Sequence, residues 1–156
     1  MTRLQQAKLL AFAIPAGLLG GAYISQYGFG LYPCEMCWWQ RWPHFAAILF
    51  ALLAFVTAPA RLWTSLAAIA IIVSGLIGAF HAGVEYGWWE GITGCATLST
   101  NIDVMDPSAA PIHRCDVAPW SLFGISLAGW NFLFSTLGGL TILGLSLGTG
   151  AKQEQV

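Results

Sequence analysis

The sequence predicts an all-α integral membrane protein, a four-transmembrane-helix bundle with two extracytoplasmic cysteine-bearing loops. Three observations predict it: a shortage of charge, charge-free windows of membrane length, and cysteines confined to the loops of one side. Of 156 residues, 57% are hydrophobic and 8% charged, against roughly 25% charged in a typical soluble domain. So few charges cannot cover a water-facing surface. The net charge is −1 and no basic run occurs, so nothing points to nucleic acid.

The spacing of charges sets the spans. Residues 9–34, 42–60, 62–84 and 117–151 contain no Asp, Glu, Lys or Arg. A bilayer core needs about 20 apolar residues per helix, and none of these windows holds two helices and a turn. Four spans follow, near 9–27, 42–58, 62–84 and 119–147, with outer loops near 28–41 and 85–118. No repeat or linker divides residues 1–156, so one membrane domain is expected. The first apolar run exceeds the ~7–15 residues of a signal-peptide core, so it reads as a span. Gly17-x-x-x-Gly21 and Ser74-x-x-x-Gly78 have the small-residue spacing of close helix packing in lipid.

Four spans put both termini and the Thr57–Arg61 connection on one side, with Arg3, Lys8, Arg61 and Lys152. The other side holds Arg41 and Arg114 with six of the seven acidic residues. The positive-inside rule places the termini in the cytoplasm. All four cysteines then fall in the outer loops, Cys34 and Cys37 in the first and Cys95 and Cys115 in the second. Disulfides form and persist in that compartment. Trp38, Trp39, Trp42, Trp88, Trp89 and Trp120 gather at the outer span ends, as an interfacial belt does.

The densest chemistry lies between Tyr32 and His44. A C-x-x-C disulfide closes a very small ring and is often an oxidising bond rather than a staple. A helix N-terminus and a nearby guanidinium both favour thiolate, and Cys37 is nearest both, with Arg41 one turn later. Pro43 leaves two readings: the second helix starts near Trp39, or it starts earlier and bends at Pro43. His44 shares a helix face with Arg41. His81 lies 20 residues beyond Arg61 on an outward-running helix, roughly 30 Å or one bilayer, so Arg41, His44 and His81 reach similar depth. Intramembrane ionisable groups face the protein interior and carry function more often than ordinary ones; packing histidines and a snorkelling arginine are the plain alternatives. Cys95 and Cys115, in a loop rich in Gly, Pro and polar residues, form either a second redox pair or a simple staple. Pro119 suits the first position of the fourth helix.

Two dithiols on one face, one on a loop and one at a membrane helix end, describe a thiol relay. Exchange proceeds by thiolate attack through a mixed disulfide. A loop pair can meet a soluble partner, and a pair at lipid depth can meet a molecule dissolved in the bilayer. The sequence carries no motif for a bound redox group, so the expected lipid-soluble acceptor is a quinone, with Arg41 stabilising the charge that develops on its oxygen. A four-thiolate zinc site is a rival, though the C-x-x-C and the distant pair have poor finger spacing; no metal is expected. Haem held by His44 and His81 would leave Arg41 unexplained.

Pro33-Cys34-x-x-Cys37 with Arg41, His81-x-Gly83-Val84-Glu85, Cys95, and Cys115-Asp116 with Pro119-Trp120-Ser121-Leu122-Phe123-Gly124 together resemble the disulfide bond formation protein B family (DsbB), including its DsbI-like members. The resemblance runs from about Tyr32 to Asn131. It implies a multi-pass protein of the bacterial inner membrane that reoxidises a periplasmic thioredoxin-fold disulfide oxidase (DsbA-like) and passes electrons to ubiquinone or menaquinone. By motif position, Cys95 resembles the cysteine attacked by the partner and Cys115 its mate, which exchanges with the first pair. Cys37 resembles the cysteine facing the quinone, Cys34 its partner, Arg41 the quinone-site arginine and His81 a quinone-proximal histidine. His44 belongs to no such motif and stands as a further quinone-site candidate by its depth and face. Some relatives carry a membrane-surface helix in the second outer loop; here only Ile102, Val104 and Met105 cluster as apolar residues. A soluble oxidase of this kind sits at about −120 mV, so its reoxidation needs a still stronger oxidant. The alternatives are a vitamin K epoxide reductase-like enzyme and a non-enzymatic membrane protein with two staples. Four cysteines allow three pairings, with Cys34–Cys37 and Cys95–Cys115 expected.

Overall fold

The computed structural model describes residues 1–93 and 114–148. Its elements are α1 (Arg3–Phe29), α2 (Glu35–Val56), α3 (Ala60–Glu85), a hairpin of β1 (Ser121–Leu122) and β2 (Ile125–Ser126), and α4 (Leu127–Leu147). Helix α3 packs along both α2 and α4, and α1 closes the bundle against α2 and α4. The molecule is mostly helical, as expected.

Helices α1, α2 and α4 each begin where a side chain satisfies a free N–H group, whereas α3 follows Pro59 with no side-chain cap. At α1, Thr2 and Gln5 form a reciprocal capping box, and Gly30, at φ 70°, ends the helix in the left-handed conformation that glycine adopts freely. At α2 the cap is Cys34 itself, whose Sγ accepts from the Cys37 N–H at 3.3 Å. The helix therefore starts at Glu35, and Pro43 lies inside it, which resolves the two readings in favour of the early start.

The fourth helix begins later than the sequence predicts. Pro119 is not its first residue; the chain makes a hairpin and enters α4 at Leu127, with Ser126 accepting from the Gly129 N–H at 3.1 Å. Phe123 and Gly124 both have positive φ, 53° and 76°, as the tight hairpin turn requires. Tyr86 pins that turn, its hydroxyl donating to the Gly124 carbonyl at 3.2 Å and accepting from the Ser126 N–H at 3.0 Å. Helical geometry cannot run through those two residues, so the two short strands also qualify the all-α expectation.

The interior is made of small residues. One buried cluster joins Ala7, Ala11, Ala47, Ala51, Ala67, Ala68, Ile71 and Ile142, while Leu49, Leu52, Phe55, Leu62, Ile69, Leu76, Leu137 and Leu140 face outward and exposed. Small residues inside and large apolar ones outside suit helices packed in lipid. Helices α1, α3 and α4 are each long and apolar enough to cross a membrane. Helix α2 has 22 residues but carries Gln40, Arg41 and His44, all turned into the bundle. The expected tryptophan belt is exposed throughout: Trp38, Trp39, Trp42, Trp88, Trp89 and Trp120. Trp89 lies across Gly83, stacks on Phe80 and donates to its carbonyl at 2.9 Å.

The two small-residue motifs part company. A Cβ on Gly78 would come within 2.9 Å of the Ala128 carbonyl oxygen, and one on Gly75 within 3.1 Å of the Thr136 backbone nitrogen. That is the close α3–α4 seam that Ser74-x-x-x-Gly78 predicts. A Cβ on Gly17 or Gly21 would meet no atom within 4 Å. The expectation of close packing at Gly17-x-x-x-Gly21 is thus corrected: these glycines border a cavity.

Candidate functional site

The site is assembled at the start of α2. Because Cys34 caps the helix, its Sγ turns toward the first turn and lies 2.8 Å from Cys37 Sγ. With Cys34 S–H donating to Cys37 Sγ, that hydrogen bond, reinforced by burial, pushes the Cys34 thiol up and brings the Cys37 thiol down. Cys34 therefore holds the shared proton, and Cys37 is the sulfur left to ionise first.

His81 reaches the pair from α3, with Nε2 3.6 Å from Cys34 Sγ. Its protonation pattern follows from its neighbours. The Gln40 amide oxygen accepts from Asn131 Nδ2 at 2.9 Å, so Gln40 Nε2 is free to donate to the Met36 carbonyl at 3.2 Å and to His81 Nδ1 at 2.8 Å. An accepting Nδ1 leaves the ring hydrogen on Nε2, directed at Cys34 and at Glu85 Oε1, 3.8 Å away. The same network continues to His44, whose Nε2 lies 3.0 Å from Asn131 Oδ1 and 2.9 Å from Ser74 Oγ. Ser74 spends its own hydrogen on the Gln40 carbonyl at 2.7 Å, so His44 Nε2 donates and its Nδ1 is a lone-pair acceptor. That Nδ1 is buried without a hydrogen-bond partner.

Arg41 does not snorkel. It is 6% exposed, donates from Nη1 to Gln26 Oε1 at 2.7 Å and from Nη2 to the Ala22 carbonyl at 3.4 Å, and lies 4.9 Å from the ring centres of both Tyr23 and Trp38. Cation–π contact offsets part of the cost of burying the charge. The guanidinium is thereby fixed to α1 as well as α2.

Cys37, Gln40, Arg41, His44, His81 and Glu85 line one cavity of about 270 Å³, closed by Gly17, Gly21 and Ala22 of α1 and by Leu127, Trp130, Asn131 and Phe134 of α4. Polar groups thus converge on an otherwise apolar pocket, the usual composition of a small-molecule site. Away from the cavity, Cys115 is fully buried and packs in one cluster with Cys34, Met36 and Val84, with Cys37 and Phe80 against it. Thr93 donates to its sulfur at 3.5 Å. The Cys34–Cys37 pair has Cys115 on one flank and the cavity on the other.

Six of the seven residues singled out from the sequence therefore come together: Cys34, Cys37, Arg41, His44, His81 and Cys115. The seventh, Cys95, lies outside the described residues, as do Ile102, Val104 and Met105. Sequence reasoning missed Gln40, Ser74, Asn131 and Glu85. An intramembrane Asn is itself a signal, and Asn131 is the fifth residue of α4; Glu85 was visible as a charge ending a span and as the last residue of the His81-x-Gly83-Val84-Glu85 motif, with no role given to it.

Residues 4–145 match the sequence model of the family described as Disulfide bond formation protein DsbB. Relatives named disulfide bond formation protein B include one from Marinobacter nauticus, 28% identical over 87% of this chain and 86% of its own length. Another, from Aromatoleum aromaticum, is 30% identical over 81% and 82%. Disulfide bond formation protein B 2 of Pseudomonas syringae is 30% identical over 87% and 83%. No solved structure matches the chain.

Proposed function

The chain belongs to the disulfide bond formation protein DsbB family, and from that premise we propose that it is a membrane thiol:quinone oxidoreductase. It reoxidises a periplasmic thioredoxin-fold oxidase of the DsbA kind and passes the electrons to ubiquinone or menaquinone. It sits in the bacterial inner membrane with both termini cytoplasmic. Helix α2 crosses with the other three, its polar groups shielded inside the bundle.

The observation that carries this reading is the position of one dithiol between a third cysteine and a cavity. Cys34 touches the Cys115 cluster and Cys37 lines the cavity. The partner's thiolate attacks Cys95 of a Cys95–Cys115 disulfide. Released as a thiolate, Cys115 attacks Cys34 of a Cys34–Cys37 disulfide, and Cys37 leaves as a thiolate facing the cavity; the partner's second thiol then closes its own disulfide and frees Cys95, which attacks Cys115 to re-form Cys95–Cys115 and leave Cys34 and Cys37 as a dithiol. Attack at Cys34 is favoured because Cys37, the sulfur that ionises first, is the better leaving group.

The cavity residues fit a quinone head. Arg41 offers fixed donors and positive charge to the quinone oxygens, and the orphaned His44 Nδ1 offers an acceptor for a hydroxyl of the reduced quinol. A second apolar cavity lined by Ala13, Ile14, Leu137, Gly138 and Thr141 shares Gly17, Leu18 and Phe134 with the first, and suits a prenyl tail. A bound quinone supplies a two-electron, two-proton acceptor. The chain's own residues orient it, exclude water with the Trp and Leu walls, and hold Cys37 against it.

The test mixes the purified protein with a reduced thioredoxin-fold oxidase and added ubiquinone. We expect quinone-dependent oxidation of the partner, lost in Cys37→Ala and in Cys95→Ala and weakened in Arg41→His through poorer quinone affinity. Partner oxidation unchanged in Cys37→Ala would refute the relay.

A further inference from the structure

One buried ionisable group has no part in the relay as described. Glu85 ends α3 with its side chain 2% exposed, a position that a carboxyl group occupies only when something compensates it. Its Oε1 lies 3.8 Å from His81 Nε2, and burial raises the carboxyl's pKa, with the nearby Ser126 side chain at the start of α4 opposing that rise. Its Oε2 is buried with no partner. The residue lines the same cavity as Cys37, close enough that its charge acts on the Cys37 thiol. An unpartnered carboxyl oxygen bordering a ligand-sized cavity can, when protonated, donate its hydrogen to the carbonyl oxygen of an arriving ligand.

We propose that Glu85 is the proton-transfer residue of the site, taking protons released by the Cys34–Cys37 dithiol and delivering them through Oε2 to the oxygens of the quinone in the cavity. The inference rests on the quinone reading. The dithiol loses two S–H bonds, gains one S–S bond and gives up two electrons; the quinone gains those electrons and two O–H bonds. Glu85 carries one proton at a time and returns to its starting state after each. His81 is poorly placed for this work, because Gln40 occupies its Nδ1 and its Nε2 already bears the hydrogen. Arg41 does not release a proton at all. Among the described residues, the other titratable groups around the cavity are Tyr32 in the connection before α2, Cys37 in its first turn, His44 within it and His81 on α3, while α1 and α4 contribute none.

The experiment uses full-length protein in detergent, reduced and freed of reductant, with a short-chain ubiquinone analogue as the probe. Single-turnover quinone reduction is followed by absorbance across pH, and binding of the analogue is measured separately. General acid–base groups contribute about a hundredfold or more. Glu85→Gln is therefore expected to slow quinone reduction about a hundredfold and remove a limb of its pH profile, with binding retained. Glu85→Asp should restore much of the rate. Without quinone, Cys37 alkylation in Glu85→Gln should move to lower pH, because a repelling carboxylate has gone. A thiol that ionises more easily in a protein that reduces quinone more slowly is a signature that structural damage does not mimic. Wild-type rate and profile in Glu85→Gln would overturn the proposal alone. If the wild type itself fails to reduce the quinone, the quinone reading falls and this inference with it.

Discussion

The two faces of the bundle are built from the same small-residue spacing and use it in opposite ways. On the α3–α4 seam, Gly75 and Gly78 disappear under Thr136 and Ala128, and the backbones meet. On α1, Gly17 and Gly21 meet nothing within 4 Å and leave room for a cavity. A glycine in a lipid helix is permission for something to come close; which neighbour comes, a helix or a ligand, is decided by the rest of the bundle. Here the tight seam carries the Gln40–Asn131–Ser74–His44 network, which fixes the chemistry of the loose face.

The sharpest way to break the comparison is to fill the loose face. Gly21→Phe is expected to abolish quinone reduction while thermal unfolding in detergent stays close to wild type, because the new ring enters open space. Retained quinone reduction would mean that the cavity is not the site. Next in size is Gly78→Ala. Overpacking costs about 1–3 kcal/mol and outweighs the helix propensity gained, so the unfolding midpoint should fall. Arg41→Lys keeps the charge but loses the planar fork that reaches both Gln26 and Ala22. We expect about tenfold weaker quinone binding in a titration, equivalent to about 1.4 kcal/mol. The smallest effect should be Gly17→Ala, where the Cβ meets nothing. Removing a glycine at an unstrained helical position stabilises by about 0.5 kcal/mol through the unfolded chain. The same Gly→Ala change is thus expected to carry opposite signs on the two faces; equal signs would erase the distinction.

Much of the site was legible because its signals are local. Cys34-x-x-Cys37 and Arg41 lie within one helix start, and the depth of His81 follows from counting along a helix at fixed rise. The start of α4 was not legible, since Pro119 is a sound helix opener by itself. What overrides it is a distant residue, Tyr86, bonding Gly124 and Ser126 across the end of α3. Arg41 likewise has two ordinary fates in a membrane helix, and only its contacts with Gln26, Ala22, Tyr23 and Trp38 choose burial. Gln40, Ser74 and Asn131 come from three helices, so no window of sequence contains their hydrogen bonds.

Composition, charge-free lengths and cysteine spacing by themselves determined the class of molecule, because a bilayer penalises exposed charge and unsatisfied backbone wherever they occur in the chain. Tertiary packing alone decided that Cys115 lies against Cys34, that a glycine pair opens a cavity instead of closing a seam, and that Glu85 is buried with one oxygen unpaired. Those outcomes depend on which side chains arrive from other helices, and a partner fifty residues away leaves no mark on local spacing.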